Sequence, residues 1–155
     1  MFIKRSGKQL CKRCFIQIIE RRISKHFRKH IKFKKLTTIS IQGHLALHFT
    51  KIAIKDFPVK LVINQKTYKI NQKTASDLAQ NILEELFTNK KTKTKGFSIL
   101  EVISDKEAIA YAKLKNIPFK PNKKKFHLNK IVDKFDEHIL FTIIRNYKEL
   151  NGVKY

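Results

Sequence analysis

"LTTISIQGHLALHFTKIAI", residues 36–54, carries two kinds of pattern back to back. Its first six residues are apolar or β-branched save Ser40, which is the composition and length of a buried strand. After Gln42-Gly43 the run HLALHFTKIAI can continue as a helix, and Pro58 ends whatever precedes it. A strand that turns at a glycine into a helix is the opening of an α/β unit.

The alternation recurs downstream. VKLVI (59–63) and TYKI (67–70) are strand-like runs separated by Asn64-Gln65-Lys66, readable as a hairpin or as two separate strands. Thr74 followed by Asp77 predicts a capping box and a helix with the apolar stripe Leu78, Ile82, Leu83 and Leu86. Beyond a charged loop at 89–96, FSILEVI (97–103) reads as a strand. Ser104 with Glu107 then predicts a second capping box, whose helix carries Ile109, Tyr111, Ala112 and Leu114 until Asn116 and Pro118 stop it. A basic loop, PFKPNKKKFH (118–127), precedes a last helix with the stripe Ile131, Phe135, Ile139 and Ile143, ending near Tyr147 before Asn151-Gly152. Its acidic residues Asp133, Asp136 and Glu137 are expected on a solvated face. Strands alternating with helices and no internal repeat predict an α/β fold, a single domain with a mainly parallel sheet flanked by helices, over residues 36–155.

Residues 1–35 form a different segment. A short basic knuckle around Ser6-Gly7 leads to a helix from Phe15 to about His30, with Ile16, Ile19, Ile23 and Phe27 on one stripe. Glu20, Arg21, Arg22, Lys25, Arg28 and Lys29 fall mostly on the other faces, and IKFKK (31–35) is a basic linker.

The 155-residue chain carries 35 Lys and Arg against 12 Asp and Glu, a formal net charge of +23. Such a surface attracts polyanions, because releasing condensed counterions from phosphates drives binding whatever the base sequence. An anionic membrane is the rival partner, and a lysine-rich background the bland alternative. Arginine placement favours a binding surface: Arg5, Arg13, Arg21, Arg22 and Arg28 cluster in the first segment, and only Arg145 lies elsewhere. The planar guanidinium fork suits phosphate. Arg13, Arg21, Arg22, Lys25, Arg28 and Lys29 are therefore the candidate RNA-backbone contacts. No apolar run reaches bilayer length, and MFIKRSGKQ lacks the apolar middle of a secretory signal, so the expectation is a cytoplasmic protein.

The two cysteines, Cys11 and Cys14, exclude a disulfide framework and need a local explanation. With His26 and His30 they spell C-x2-C-x11-H-x3-H, one residue short of a zinc-finger spacing. Along one continuous helix, however, Cys14 and His26 would lie roughly 18 Å apart at about 1.5 Å per residue, and the two histidines are expected on a solvated face. Three readings remain for the pair: a redox couple at a helix N-terminus, half of a four-thiolate zinc site shared between two chains, or two reduced thiols without metal. His44 and His48, four apart, lack the acidic partner of H-E-x-x-H and are not expected to bind metal.

The segment RSGKQLCKRCFIQIIERRISKHFRKH (5–30) resembles the N-terminal part of the PP-loop tRNA 2-thiolation enzymes of the TtuA and TtcA type, with Cys11, Cys14, Phe15, Glu20, Arg21, Arg22, Arg28 and Lys29 matching in order. QKTASDLAQNILEELF (72–87), with Asp77 in the place of a family aspartate, and SILEVISDKEAIAYAKLKNIPF (98–119), with Glu107, Tyr111 and Ala112 matching, are similar more weakly. The resemblance implies a reduced PP-loop, adenine-nucleotide-hydrolase-like fold and tRNA as the partner. It also makes Gly43 and Asp77 the remnants of a nucleotide site.

The departures are as informative. The superfamily's S-G-G-x-D-S loop binds ATP phosphates through backbone N–H groups. Here the corresponding loop reads Gln42-Gly43-His44-Leu45-Ala46-Leu47, these residues hold one C-x-x-C where the family carries two, and the family's catalytic cysteines have no counterpart among them. The expectation is a tRNA-binding protein without its own ATP-dependent catalysis, working as a homodimer or beside a catalytic paralogue. An active ATP-dependent sulfur-transfer enzyme and a basic structural component of a ribonucleoprotein are the alternatives.

Overall fold

The computed structural model describes residues 3–5, 8–32, 37–55, 57–64, 69–90, 96–122, 128, 131–132 and 134–152. Ser6-Gly7, residues 33–35 of the basic linker, the loop 91–95, the basic run 123–127 and Asp133 lie outside the described residues. A two-stranded antiparallel ribbon, β1 (Ile3–Arg5) and β2 (Lys8–Leu10), leads into α1 (Lys12–His30). There follow β3 (Thr38–Ile41), α2 (His44–Ile54), β4 (Lys60–Ile63) and β5 (Ile70–Thr74). Next come α3 (Ala75–Thr88), β6 (Phe97–Leu100), α4 (Asp105–Leu114) and α5 (Glu137–Leu150).

The main sheet is four-stranded and parallel throughout, in the order β4-β3-β5-β6. β4 and β5 both pair with β3 and lie on opposite sides of it, so the hairpin reading of residues 59–70 gives way to two separate strands. Ile39, Ile41, Ile70 and Ile99 point from these strands into one core, with the apolar faces of α1, α2 and α4. Since side chains alternate along a strand, Ser40, Asn71 and Ser98 face the other way. A second cluster joins α3 (Ala75, Ala79, Ile82) to α5 (Leu140, Ile144) and Val132. The fold is thus an α/β domain with a parallel sheet flanked by helices.

Both capping boxes form. The Thr74 side chain accepts from the Asp77 amide while the Asp77 carboxylate accepts from the Thr74 amide, and Ser104 and Glu107 reciprocate in the same way. Each satisfies amide donors that the first turn of a helix leaves orphaned.

The stripes are rotated from expectation in two helices. In α3 the buried side is Ala75, Ala79 and Ile82, with Leu78 and Leu83 half-buried, and Leu86 is 67% exposed. In α5 the inward residues are Leu140 and Ile144, whereas Ile139 is 40% exposed. The final helix also starts at Glu137, with Asp136 as its N-cap accepting from the Ile139 amide at 2.9 Å. Small residues let α3 approach its neighbours closely, which an apolarity count misses. Among the described residues, no helix is long and apolar enough to cross a membrane.

Gly43 caps α2 at φ +89°, a conformation L side chains rarely adopt, and a Cβ there would collide with the Gln72 carboxamide. Gly43→Ala is therefore expected to lower stability by about 1–3 kcal/mol. Adding Gln72→Ala should recover the steric part but not the backbone part, and urea denaturation of the two variants checks this.

Candidate nucleic-acid interface

α1 is amphipathic with opposite chemistry on its two sides. Phe15, Ile19, Ile23, His26 and Phe27 are buried. Phe15, fully buried, is a core residue as its place on the stripe implies. Arg13, Arg21, Lys25, Arg28 and Lys29 are exposed, so five of the six candidate phosphate contacts share the outer surface of one rod. Arg28 and Lys29 also occupy the last turn, where cations complement the helix dipole.

Arg22 is the exception. Its Nη1 donates to Glu107 Oε1 at 2.9 Å, its Nη2 donates to the Val102 carbonyl, and its guanidinium lies 5.3 Å from the Phe141 ring centroid. Glu107 is only 5% exposed, and Arg22 neutralises it while Glu107 caps α4. Arg22 is thus a fastener between α1 and α4. Glu20 has a similar role, accepting from the Tyr111 hydroxyl at 2.7 Å beside Lys115 at 3.2 Å. His48 Nε2 lies 3.0 Å from the same hydroxyl, so it donates to the phenol oxygen. Burial, then the bond to Glu20, pushes the Tyr111 phenol well above its usual range.

The expectation of solvated histidines fails at His26. It is 8% exposed, stacked on Phe97 with centroids 4.9 Å apart and planes 19° apart. Its Nε2 lies 3.3 Å from the Ser98 carbonyl, to which it must donate, and 3.5 Å from Glu101. β6 is an edge of the sheet, so α1 covers that edge and supplies a partner for one of its carbonyls. His30, half-buried, follows one turn later with its ring 4.8 Å from that of His26.

The other wall of this region comes from α5. Lys148 Nζ donates to Glu101 at 2.6 Å, and a cleft of about 510 Å³ opens between α1 and α5. From α1 it is lined by Arg22, Lys25, His26, Lys29 and His30, and from α5 by His138, Phe141, Arg145 and Lys148 among others. Sequence reasoning missed the α5 residues. The one signal was Arg145, the sole arginine outside the N-terminal segment.

Cys11 and Cys14 are both exposed and reduced, at the opposite end of α1. Cys11 is the N-cap, its Sγ accepting from the Cys14 amide at 3.3 Å. That backbone bond holds the Cys11 thiol below its ordinary range, and the proximity of Cys11 pushes Cys14 up. A closed metal centre needs about four such ligands. Among the described residues no group of three His, Cys, Asp or Glu is placed to hold a metal ion, and the chain has no third cysteine. Among the described residues, Cys11 and Cys14 are joined by no third metal-ligating side chain.

Gly43 and Asp77, expected as remnants of a nucleotide site, lie just beyond the ends of the neighbouring strands β3 and β5. The Gln72 carboxamide fills the space above Gly43, and its Oε1 is buried without a hydrogen-bond partner among the described residues. Asp77, 6% exposed, is occupied by its capping role and by Asn122 Nδ2 at 2.9 Å.

No family model matches the chain, and no curated protein matches it in sequence. Among solved structures it is similar to the U34-tRNA thiolase NcsA from Methanococcus maripaludis, determined with its 4Fe-4S cluster. The TM-score is 0.68, over 97% of this chain and 84% of that one, at 11% sequence identity. The likeness is one of fold, and it agrees with the PP-loop-like architecture expected from the sequence.

Burial pushes His26 down from 6.5 to about 4, with the charge of Glu101 opposing. Between those two pH values the unfolded chain binds a proton that the folded chain refuses, so stability is full above 6.5 and falls as the pH drops toward 4. The loss attributable to His26 is about 3 kcal/mol. His26→Phe keeps the stack on Phe97 and should flatten the acid limb of a stability–pH profile measured by urea unfolding. Arg22→Ala is expected to cost about 3 kcal/mol in the same assay, by removing the guanidinium that offsets the charge of the buried Glu107 carboxylate.

Proposed function

We propose that this protein binds tRNA through the outer face of α1, in the service of tRNA modification, without ATP-dependent catalysis of its own. The observation that carries this reading is the division of α1: its apolar side is sunk in the core, and Arg13, Arg21, Lys25, Arg28 and Lys29 are held outward along about 24 Å of rod. A rigid row of cations at helical spacing positions a phosphate backbone without reading bases. Likeness of fold to a tRNA thiolase supports tRNA over other polyanions. The Gln72 carboxamide seated on Gly43 supports the loss of nucleotide binding.

Reversing Arg13, Arg21 and Arg28 to Glu should weaken tRNA binding by about tenfold or more and reduce the slope of log affinity against log salt by about 3. Unchanged affinity and slope in a folded triple variant would remove the α1 surface as the RNA site. Equal affinity for any folded RNA would favour a structural ribonucleoprotein component instead. Calorimetry with ATP should give no binding heat, and binding near micromolar concentration would restore the active-enzyme reading.

Cys11 and Cys14 are assigned as half of a zinc site completed by a second copy or by a catalytic partner. In the homodimeric case, metal analysis of the purified protein should find one zinc per two chains, and Cys11→Ser should abolish both the metal and the metal-dependent dimer. Metal retained by that variant would reject the thiolate site.

A further inference from the structure

The cleft between α1 and α5 has a chemistry that phosphate contacts alone do not require. Its volume, about 510 Å³, is in the roughly 300–1,000 Å³ range of small-ligand sites. Val102, Phe141 and Ile144 give it an apolar lining. Five Lys and Arg side chains line it against a single carboxylate, Glu101. Two of those five are committed internally, Arg22 to Glu107 and Lys148 to Glu101. Lys25 and Arg145, on opposite walls, are exposed and form no ion pair among the described residues.

We infer that this cleft receives one unpaired nucleotide of the bound RNA, its base against Phe141 and Ile144 and its phosphate between Lys25 and Arg145. The inference rests on the RNA-binding reading, which the outer face of α1 carries separately. A flat apolar ring joined to an anion matches an apolar slot with a cationic rim. Free phosphate would leave the apolar lining unused, and a duplex keeps its bases stacked inside. The inner wall suits a base as well, because burial keeps His26 uncharged at neutral pH and its ring already stacks on Phe97. Base stacking of this kind is sequence-tolerant, since every base has a π-face.

Thr142 lines the cleft from α5 and is half-buried, so Thr142→Trp fills the slot without removing a charge. The probes are single-stranded oligouridylate and an RNA duplex of equal length, read by fluorescence anisotropy. Thr142→Trp should weaken the single strand about tenfold and leave the duplex unchanged, whereas Arg145→Glu should weaken both. As a readout on the unaltered protein, oligouridylate should shift the NMR signals of the His26, His30 and His138 rings, with uridine monophosphate doing so only at far higher concentration. Equal single-strand binding by a folded Thr142→Trp protein, or no imidazole shift at saturation, would overturn the cleft assignment. So would displacement of oligouridylate by polyglutamate at equal charge. These outcomes leave the α1 charge-reversal result standing, and only its failure removes the underlying RNA reading.

Discussion

The structure depends on one burial: the apolar stripe of α1 must leave water, and β6 offers an open edge that needs a cover. Ile19, Ile23 and Phe27 enter the same core as the isoleucines of β3, β5 and β6, and each fully buried aliphatic side chain is worth about 1.5–3 kcal/mol. Once that face is fixed, the helical period determines everything else on the rod. Arg13, Arg21, Lys25, Arg28 and Lys29 are turned outward by the burial that pulls Phe15 and Phe27 inward.

Not every polar group on α1 is available for binding. Glu20, Arg22 and His26 are spent on Tyr111, Glu107 and Ser98, and through them α1 is tied to α4 and to the sheet edge. The Arg22–Glu107 pair makes this tie specific. Glu107 already caps α4, so a shift of α1 along its axis would draw the guanidinium away from a carboxylate that is nearly out of contact with water. This holds the outward cations in register with the α5 wall of the cleft.

At the carboxyl ends of β5 and β6 the polar groups are turned on one another. Thr74 donates to Asp105, the Asp105 amide donates to the Ser76 hydroxyl at 3.2 Å, and Asp77 holds Asn122. In open α/β sheets this end is where ligands commonly bind. Here the two capping boxes interlock there, and Gln72 rests on Gly43 in the loop after β3. The cationic cleft proposed to receive RNA lies instead beside α1, lined by Lys25 and Arg145.

Local rules read much of the molecule correctly from the sequence alone. Thr74 with Asp77 and Ser104 with Glu107 cap their helices as residue spacing predicts, because a capping box closes within four residues and asks nothing of the rest of the chain. The strand–glycine–helix unit at 38–54 and the continuous basic helix are local in the same sense. What needed the tertiary structure were the long-range pairings. The placement of β3 between β4 and β5, the withdrawal of Arg22 and His26 from the surface, and the lining of one cleft by Lys25 and Arg145 all join residues far apart in sequence. Periodicity specifies which residues share a face of one helix, but only packing against other elements decides what that face meets.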